Sequence, residues 1–151
     1  MESRGEVLNQ FLVEVFGQIL KAEAACLAGK DLSLRELHLI DAVCRAVDQG
    51  GDNRSTAIAA ALGITAGTLT SAVNLLEKKG YLLRRRDERD KRVVHLLPTE
   101  RGRAADARHR DLHRQMVAHV LDGLTDEEAE CTLRALGRVA EFFRRGAPER
   151  G

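Results

Sequence analysis

A chain of 151 residues, 44% apolar and 31% charged, has the length and balance of one globular domain. No apolar run approaches the roughly 20 residues needed to span a bilayer, and two Pro, one Tyr, four Phe and no Trp argue against an all-β sandwich or barrel. A formal net charge of +1 excludes a uniformly basic surface, and three widely spaced cysteines exclude a full disulfide framework and point to a reducing, cytoplasmic setting.

Met1 to Glu6 is polar and unlike a secretory leader. A first helix is expected from Glu6 to Ala28, with Leu8, Leu12, Val15, Ile19 and Ala22 on one stripe and Val7, Phe11 and Phe16 beside it. Gly29-Lys30-Asp31 ends it, and Ser33-Leu34-Arg35-Glu36 reads as a capping box opening a second helix that runs to Asp48. Leu37, Ile40, Val43, Cys44 and Val47 form its inward face, and Gln49 to Asn53 is a loop. Ser55 is the expected cap of a short helix, Thr56 to Leu62, stopped by Gly63. Thr65 caps the next helix, Ala66 to Lys79, which Gly80 ends. Two helices joined by a turn of about three residues containing Gly make a helix-turn-helix.

The second helix of that pair has Leu69, Ala72, Val73, Leu75 and Leu76 on its expected buried side. Gly67, Thr68, Thr70, Ser71 and Asn74, all small and uncharged, form its other side. Tyr81-Leu82-Leu83 and Val93 to Leu97 read as strands flanking a hairpin loop, Arg84 to Arg92. That loop holds six basic and three acidic residues, a local +3 that leaves the other 142 residues at −2. A concentrated basic patch on a near-neutral chain is the pattern that meets phosphates. Thr99 is positioned to cap a helix from Glu100 to Leu121, Thr125 to Glu128 forms another capping box, and a last helix reaches Arg144 with Leu133, Leu136, Val139, Ala140 and Phe143 on its stripe. Gly146 to Gly151 should fray.

The expected fold is mainly α with a small β-hairpin: one domain, residues 1–151, with a winged helix-turn-helix core at 33–97. The flanking helices at 6–28 and 99–145 carry apolar faces too long for this small core to cover, and a two-fold homodimer would cover them.

The chain resembles the MarR family of bacterial transcriptional regulators along nearly its whole length. The resemblance rests on Ile64-Thr65-x-Gly67-Thr68-Leu69-Thr70, on Leu76-Glu77-Lys78-Lys79-Gly80-Tyr81, on Asp87-x-x-Asp90-x-Arg92, and on Leu97-x-Thr99-x-x-Gly102, with Pro98 interrupting the usual Leu-Thr pair. Within the family, Ile64 to Thr70, Lys78 to Tyr81 and His109-x-x-x-His113-x-x-Met116-Val117 are most similar to the FabT-like branch, repressors of fatty-acid synthesis genes. The resemblance implies a homodimer on pseudo-palindromic double-stranded DNA, one recognition helix in each major groove and wing arginines in the flanking minor grooves.

On that reading the recognition helix is Thr65 to Lys79. Ala66, Gly67 and Ser71 stand where many relatives carry Lys or Arg, which shifts the electrostatic burden to the wing. Base discrimination then falls to Thr68, Thr70, Ser71 and Asn74, through Thr methyl contacts to thymine and bidentate pairing of Asn with adenine. Arg92 is the candidate for minor-groove insertion, with Arg89 and Lys91 on adjacent phosphates and Asp90 orienting an arginine. Arg84 to Arg86 alternate along a strand, so not all of them face the duplex; Arg84 and Arg86 are the two assigned to DNA.

Enzyme chemistry finds no support: G-x-x-x-x-G-K-[ST], G-x-S-x-G and H-E-x-x-H are all missing from the sequence. A helical dimer that never binds DNA leaves the basic wing unexplained. Cys26 has no Tyr near it in sequence, and Cys44 and Cys131 sit on helix faces that look buried, so all three read as small core residues. His109 and His113 lie one helical turn apart on one face, a spacing that suits one ion. Zinc-responsive members of the family look similar at Glu23, His38, His109 and His113, and the resemblance offers zinc held by these four residues as an alternative to a small-molecule or acyl-carrier effector.

Overall fold

The computed structural model describes residues 1–146. Its elements are α1 (Arg4–Ala25), α2 (Leu34–Asp48), α3 (Ser55–Leu62), α4 (Ala66–Lys78), β1 (Leu82–Arg86), β2 (Val94–Pro98), α5 (Glu100–Asp122) and α6 (Asp126–Arg144). They divide into two compact units, Met1–Leu112 and His113 onward, with the boundary inside α5. The expected fraying of the terminal Gly146–Gly151 lies, from Ala147 on, outside the described residues.

In the first unit, α1 begins two residues earlier than expected because Ser3 and Glu6 form a capping box, Glu6 N–H donating to Ser3 Oγ at 3.2 Å and Ser3 N–H to Glu6 Oε2 at 2.7 Å. It stops at Ala25, three residues short of Ala28. Val7, Leu8, Phe11, Val13 and Phe16 stay exposed along it. The capping box of α2 is present as read, Ser33 with Glu36. Its burial is wider than a single stripe. Leu37 and every residue from Leu39 to Cys44 are buried, because α3 and β2 pack on one side while Glu23, Asp106 and His109 come in on the other; Val47, expected inward, is only half-buried.

Ser55 does not cap α3. It is the first helical residue, and Arg54 holds the cap position without a side-chain bond to the helix. The reason is tertiary: Arg54 bridges His95 on β2, and Asp52 accepts from both its backbone N–H at 3.1 Å and its guanidinium. α3 ends at Gly63 with φ +66°, a left-handed turn that costs a glycine little. Across Gly63–Thr65 the chain turns by 109° into α4, the angle of a helix-turn-helix. α4 buries Leu69, Val73 and Leu76 as expected, but Ala72 is only half-buried and Leu75 is 45% exposed. Leu75 falls one residue before Leu76, off the Leu69, Val73, Leu76 repeat that turns inward.

The strands sit one residue later than expected, and β1 continues to Arg86. They pair antiparallel from Leu82↔Pro98 to Arg86↔Val94, so the expected loop from Arg84 to Arg92 shrinks to Asp87–Val93. Arg84, Arg85 and Arg86 are strand residues, because Leu96, His95 and Val94 opposite them complete the ladder. Thr99 opens α5: its hydroxyl donates to Gly80 O at 2.6 Å and accepts from Gly102 N–H at 3.0 Å. Gly102 is buried, and a Cβ there would overlap the Tyr81 carbonyl oxygen, so the Leu97-x-Thr99-x-x-Gly102 pattern is a close helix-to-backbone contact. The core is Leu37, Ile40, Val43, Val73, Leu76, Leu82 and Leu96, all 1% exposed or less. Each such aliphatic side chain contributes about 1.5–3 kcal/mol by leaving water.

In the second unit, Thr125 and Glu128 form the expected capping box of α6. α6 buries no residue; Leu133, Leu136, Phe142 and Phe143 are exposed. Cys131 is exposed too, against expectation, with the Arg134 guanidinium donating to its Sγ at 3.1 Å. Among the described residues no single helix is long and apolar enough to cross a membrane.

Candidate nucleic-acid interface

α4 presents an uncharged, hydrogen-bonding face. Thr65 accepts Thr68 N–H at 3.1 Å and its hydroxyl donates to Thr68 Oγ1 at 2.9 Å, so the cap also orients Thr68. Thr65, Gly67, Thr68, Thr70, Ser71 and Asn74 are all exposed. A Cβ on Gly67 would meet nothing within 4 Å, so this turn of the helix can approach another surface closely. Thr70 donates its hydroxyl proton to Ala66 O at 2.9 Å and keeps only its methyl and lone pairs for an outside partner. Ser71 and Asn74 make no intramolecular side-chain hydrogen bond among the described residues.

The three strand arginines separate by the two-residue repeat of β1. Arg84 packs back on α4: its guanidinium donates to Glu77 Oε1 and to Thr70 O, both at 3.2 Å, and its backbone N–H donates to Glu77 Oε2 at 3.2 Å. Its side chain is 27% exposed and is a strut between hairpin and helix, which its place in a basic run concealed. Arg86 shares with Ser55, Thr70, Asn74 and Arg84 a cleft of about 450 Å³ between α4 and the hairpin. Arg85 points the other way, opposite His95 in the ladder.

The loop is built by its two aspartates. Asp87 Oδ1 accepts the N–H groups of Arg89 at 2.8 Å and Asp90 at 3.0 Å, and Asp87 N–H donates to Val93 O at 2.9 Å. A hydrogen bond from His95, followed by those two N–H groups, holds the Asp87 carboxyl down to about 2. Asp90 accepts from Arg92 through N–H at 3.0 Å and Nε at 3.1 Å, and those bonds lower its carboxyl as well. Arg92 is thus aimed while its side chain stays 91% exposed. Arg89 and Lys91 are exposed beside it. The motif Asp87-x-x-Asp90-x-Arg92 is therefore a folding device for the loop. His95 and Asn53, which complete it, carried no sequence signal beyond His95 facing Arg85 in a hairpin register.

Glu23, His38 and His109 also meet, in the first unit. His38 Nε2 lies 2.7 Å from Glu23 Oε2, and His109 Nε2 lies 3.3 Å from Glu23 Oε1, with the rings 5.7 Å apart. Glu23 and His109 are buried. Two imidazoles on one carboxylate have the chemistry of a divalent-cation site, and in this geometry they also satisfy one another by hydrogen bonding. His113 follows one turn later on α5, in the second unit. Cys44 is buried beside Asp106, and burial pushes its thiol up to about 12, which makes it inert.

The MarR family pattern matches residues 43–94, from α2 through the start of β2. Over 91% of this chain and 96% of its own, the Streptococcus pneumoniae regulator FabT, solved in complex with DNA, is 34% identical, with a TM-score of 0.80. The chain belongs to the MarR family. It is a winged-helix transcription regulator and not an enzyme. Two HTH-type transcriptional regulators of Bacillus subtilis, YcgE and YwhA, are 32% identical over 85 residues and 31% identical over 72 residues. The matches span about half the length of these curated relatives, 53% and 52%. A mutant of the Staphylococcus aureus regulator MepR, at 20% identity and a TM-score of 0.68, shares the fold.

Proposed function

We propose that this MarR-family regulator is a homodimeric, cytoplasmic repressor that binds a pseudo-palindromic operator, with α4 of each subunit in a major groove and the hairpin over the adjacent minor groove. The observation that carries it is the pairing of an uncharged exposed helix face with an arginine loop already folded by Asp87 and Asp90. Thr68, Ser71 and Asn74 would read bases, Arg92 would enter the minor groove, and Arg86, Arg89 and Lys91 would meet phosphates. The DNA-bound state of the FabT relative supports this reading. Residues 33–97 form the winged core in this proposal. The exposed apolar residues of α1 and α6 are its dimer contacts, in the flanking segments 6–28 and 99–145. The test is a mobility-shift series on the DNA upstream of the regulator's own gene. Affinity should fall linearly with salt on a log–log plot, as displaced counterions require, and salt-insensitive binding would refute the proposal.

The FabT likeness further supports control of fatty-acid synthesis genes, with an acyl carrier or another apolar molecule as effector. One observation favours a second effector: two Nε2 atoms converge on the buried Glu23 carboxylate. Zinc held by Glu23, His38, His109 and His113 would replace those hydrogen bonds. Elemental analysis followed by DNA binding with and without chelator separates the two. If no metal co-purifies and added zinc leaves melting temperature and DNA affinity unchanged, the apolar effector stands.

A further inference from the structure

The wing loop is fastened to the helix-turn-helix through one imidazole. His95 Nε2 lies 3.0 Å from Asp87 Oδ2, and His95 Nδ1 lies 3.0 Å from Asn53 Oδ1. The hydrogen bonds around the ring set which atoms donate. Asn53 Nδ2 donates to Leu96 O at 2.9 Å, so the side-chain oxygen of Asn53 must face the ring; turning the amide would set that oxygen against the Leu96 carbonyl. Oδ1 has no proton to give, so Nδ1 is the donor. On the other side Asp87 is an ionised carboxylate already accepting two backbone N–H groups on Oδ1, so Nε2 is also the donor. Both ring nitrogens donate only in the imidazolium form.

The two partners have different duties. Asp87 folds the loop that carries Arg89 and Arg92. Asn53 precedes the cap residue of α3, and its backbone oxygen accepts Leu96 N–H at 2.9 Å. Removing either ring proton breaks one link. The neutral Nδ1–H tautomer sets a lone pair against the Asp87 carboxylate, and the Nε2–H tautomer sets one against Asn53 Oδ1.

We propose that His95 is a positioning residue for DNA binding: as an imidazolium it ties the loop anchor Asp87 to Asn53 at the head of the helix-turn-helix, and the wing grips DNA best while both protons are present. This rests on the DNA-binding reading above. The charged groups around the ring are mixed. Arg85, Arg86, Glu88 and Arg89 line the same cleft as His95 and Asp87. Arg54 bridges His95 through the backbone, and Asp52, its ion-pair partner, also feels the charge on His95. Arg86 and Arg89 belong to the surface offered to DNA, so bound phosphates would lower their repulsion of the imidazolium.

The sign follows. Protonated His95 favours the positioned wing, so affinity should fall as pH rises through the histidine range. For the full-length protein on its operator, the expected loss from about pH 6 to about pH 8 is about tenfold, the order set by one charge-assisted hydrogen bond. His95→Gln should start weaker at the lower pH and lose most of that slope. Equal slopes for parent and variant, or a flat profile for the parent, overturn the proposal. A second measurement needs neither DNA nor a variant. In ¹⁵N spectra of the parent, both His95 nitrogens should carry protons while the Arg89 and Asp90 amides report the positioned loop, and ring and amides should change together as pH rises. A single neutral tautomer with the loop still positioned, or loop amides indifferent to the ring, overturns it. Protein that passes the spectroscopic test yet binds no DNA at any pH would refute the DNA-binding reading alone.

Discussion

Arg92 and Arg84 come from the same basic run and have opposite fates. Arg92 is steered by Asp90 and left 91% exposed, whereas Arg84 is tied to Glu77 and Thr70. Arg92→Ala should therefore weaken operator binding by about 1–3 kcal/mol and leave melting unchanged. Arg84→Ala should instead lower stability by about 0.2–1 kcal/mol, the range of a partly exposed ion pair. Mobility shift and thermal melting on both variants check this; the reverse pattern would exchange their roles. A different residue, buried in the core, contributes to the acid response. Asp106 is buried, and desolvation followed by the neighbouring Asp41 carboxyl pushes it up to about 6, against the opposing pull of Arg110. Between its ordinary value of 3.8 and about 6, the folded chain holds a proton that the unfolded chain has released. That contribution to stability is full below the lower value and is lost as pH rises through the upper one. Asp106→Asn carries a neutral amide throughout, so from about pH 4 to about pH 7 it should gain stability relative to the parent in urea titrations. A difference independent of pH would place the proton elsewhere.

At the scale of elements, the joints are built from short patterns. Lys79-Gly80-Tyr81 closes α4 onto its neighbours: Lys79 Nζ reaches Glu36 Oε1 at 3.1 Å, the Tyr81 hydroxyl donates to Asp31 at 2.6 Å, and the Arg101 guanidinium lies 4.4 Å above the Tyr81 ring. The closest approach is Gly102 against the Tyr81 backbone, where no side chain can rotate away. Gly102→Ala should cost about 1–3 kcal/mol, the usual penalty for overpacking, read as a lower midpoint in urea. Gly67→Ala, on the open face of α4, should leave that midpoint unchanged or raise it, since alanine favours helix. Equal losses at the two positions would mean that the α5–Tyr81 contact yields.

At the scale of the whole molecule, the exposed aliphatic and aromatic residues are the leading fact. Val7, Leu8, Phe11, Val13 and Phe16 on α1, and Leu133, Leu136, Phe142 and Phe143 on α6, are each more than half exposed. Apolar surface on this scale is what an obligate partner covers. Sedimentation should give a dimer at micromolar concentration, and Phe11→Glu together with Leu136→Glu should dissociate it and abolish cooperative operator binding. A stable parent monomer would remove the dimer from the proposal.

The helices, the helix-turn-helix and the hairpin were legible in the sequence because their signals are local. Ser33 and Glu36 are three residues apart, Gly63 sits where the chain needs a left-handed turn, and the apolar repeat of α4 needs no partner to be read. The Asp87-x-x-Asp90-x-Arg92 loop is local as well, which is why its motif is compact. Local rules misplaced what packing overrides: Ser55 as a cap and Leu75 as buried. The functional junctions lay beyond such rules altogether. His95 meets Asn53 from 42 positions away, and Glu23 meets His109 from 86. These contacts exist because α2 is enclosed on both sides and β2 is paired on both edges, by β1 and by Arg54. Sequence alone specified the elements and their order, through backbone preference and periodicity. Which polar side chains share a proton, a carboxylate or a loop was decided only when those elements closed around one core.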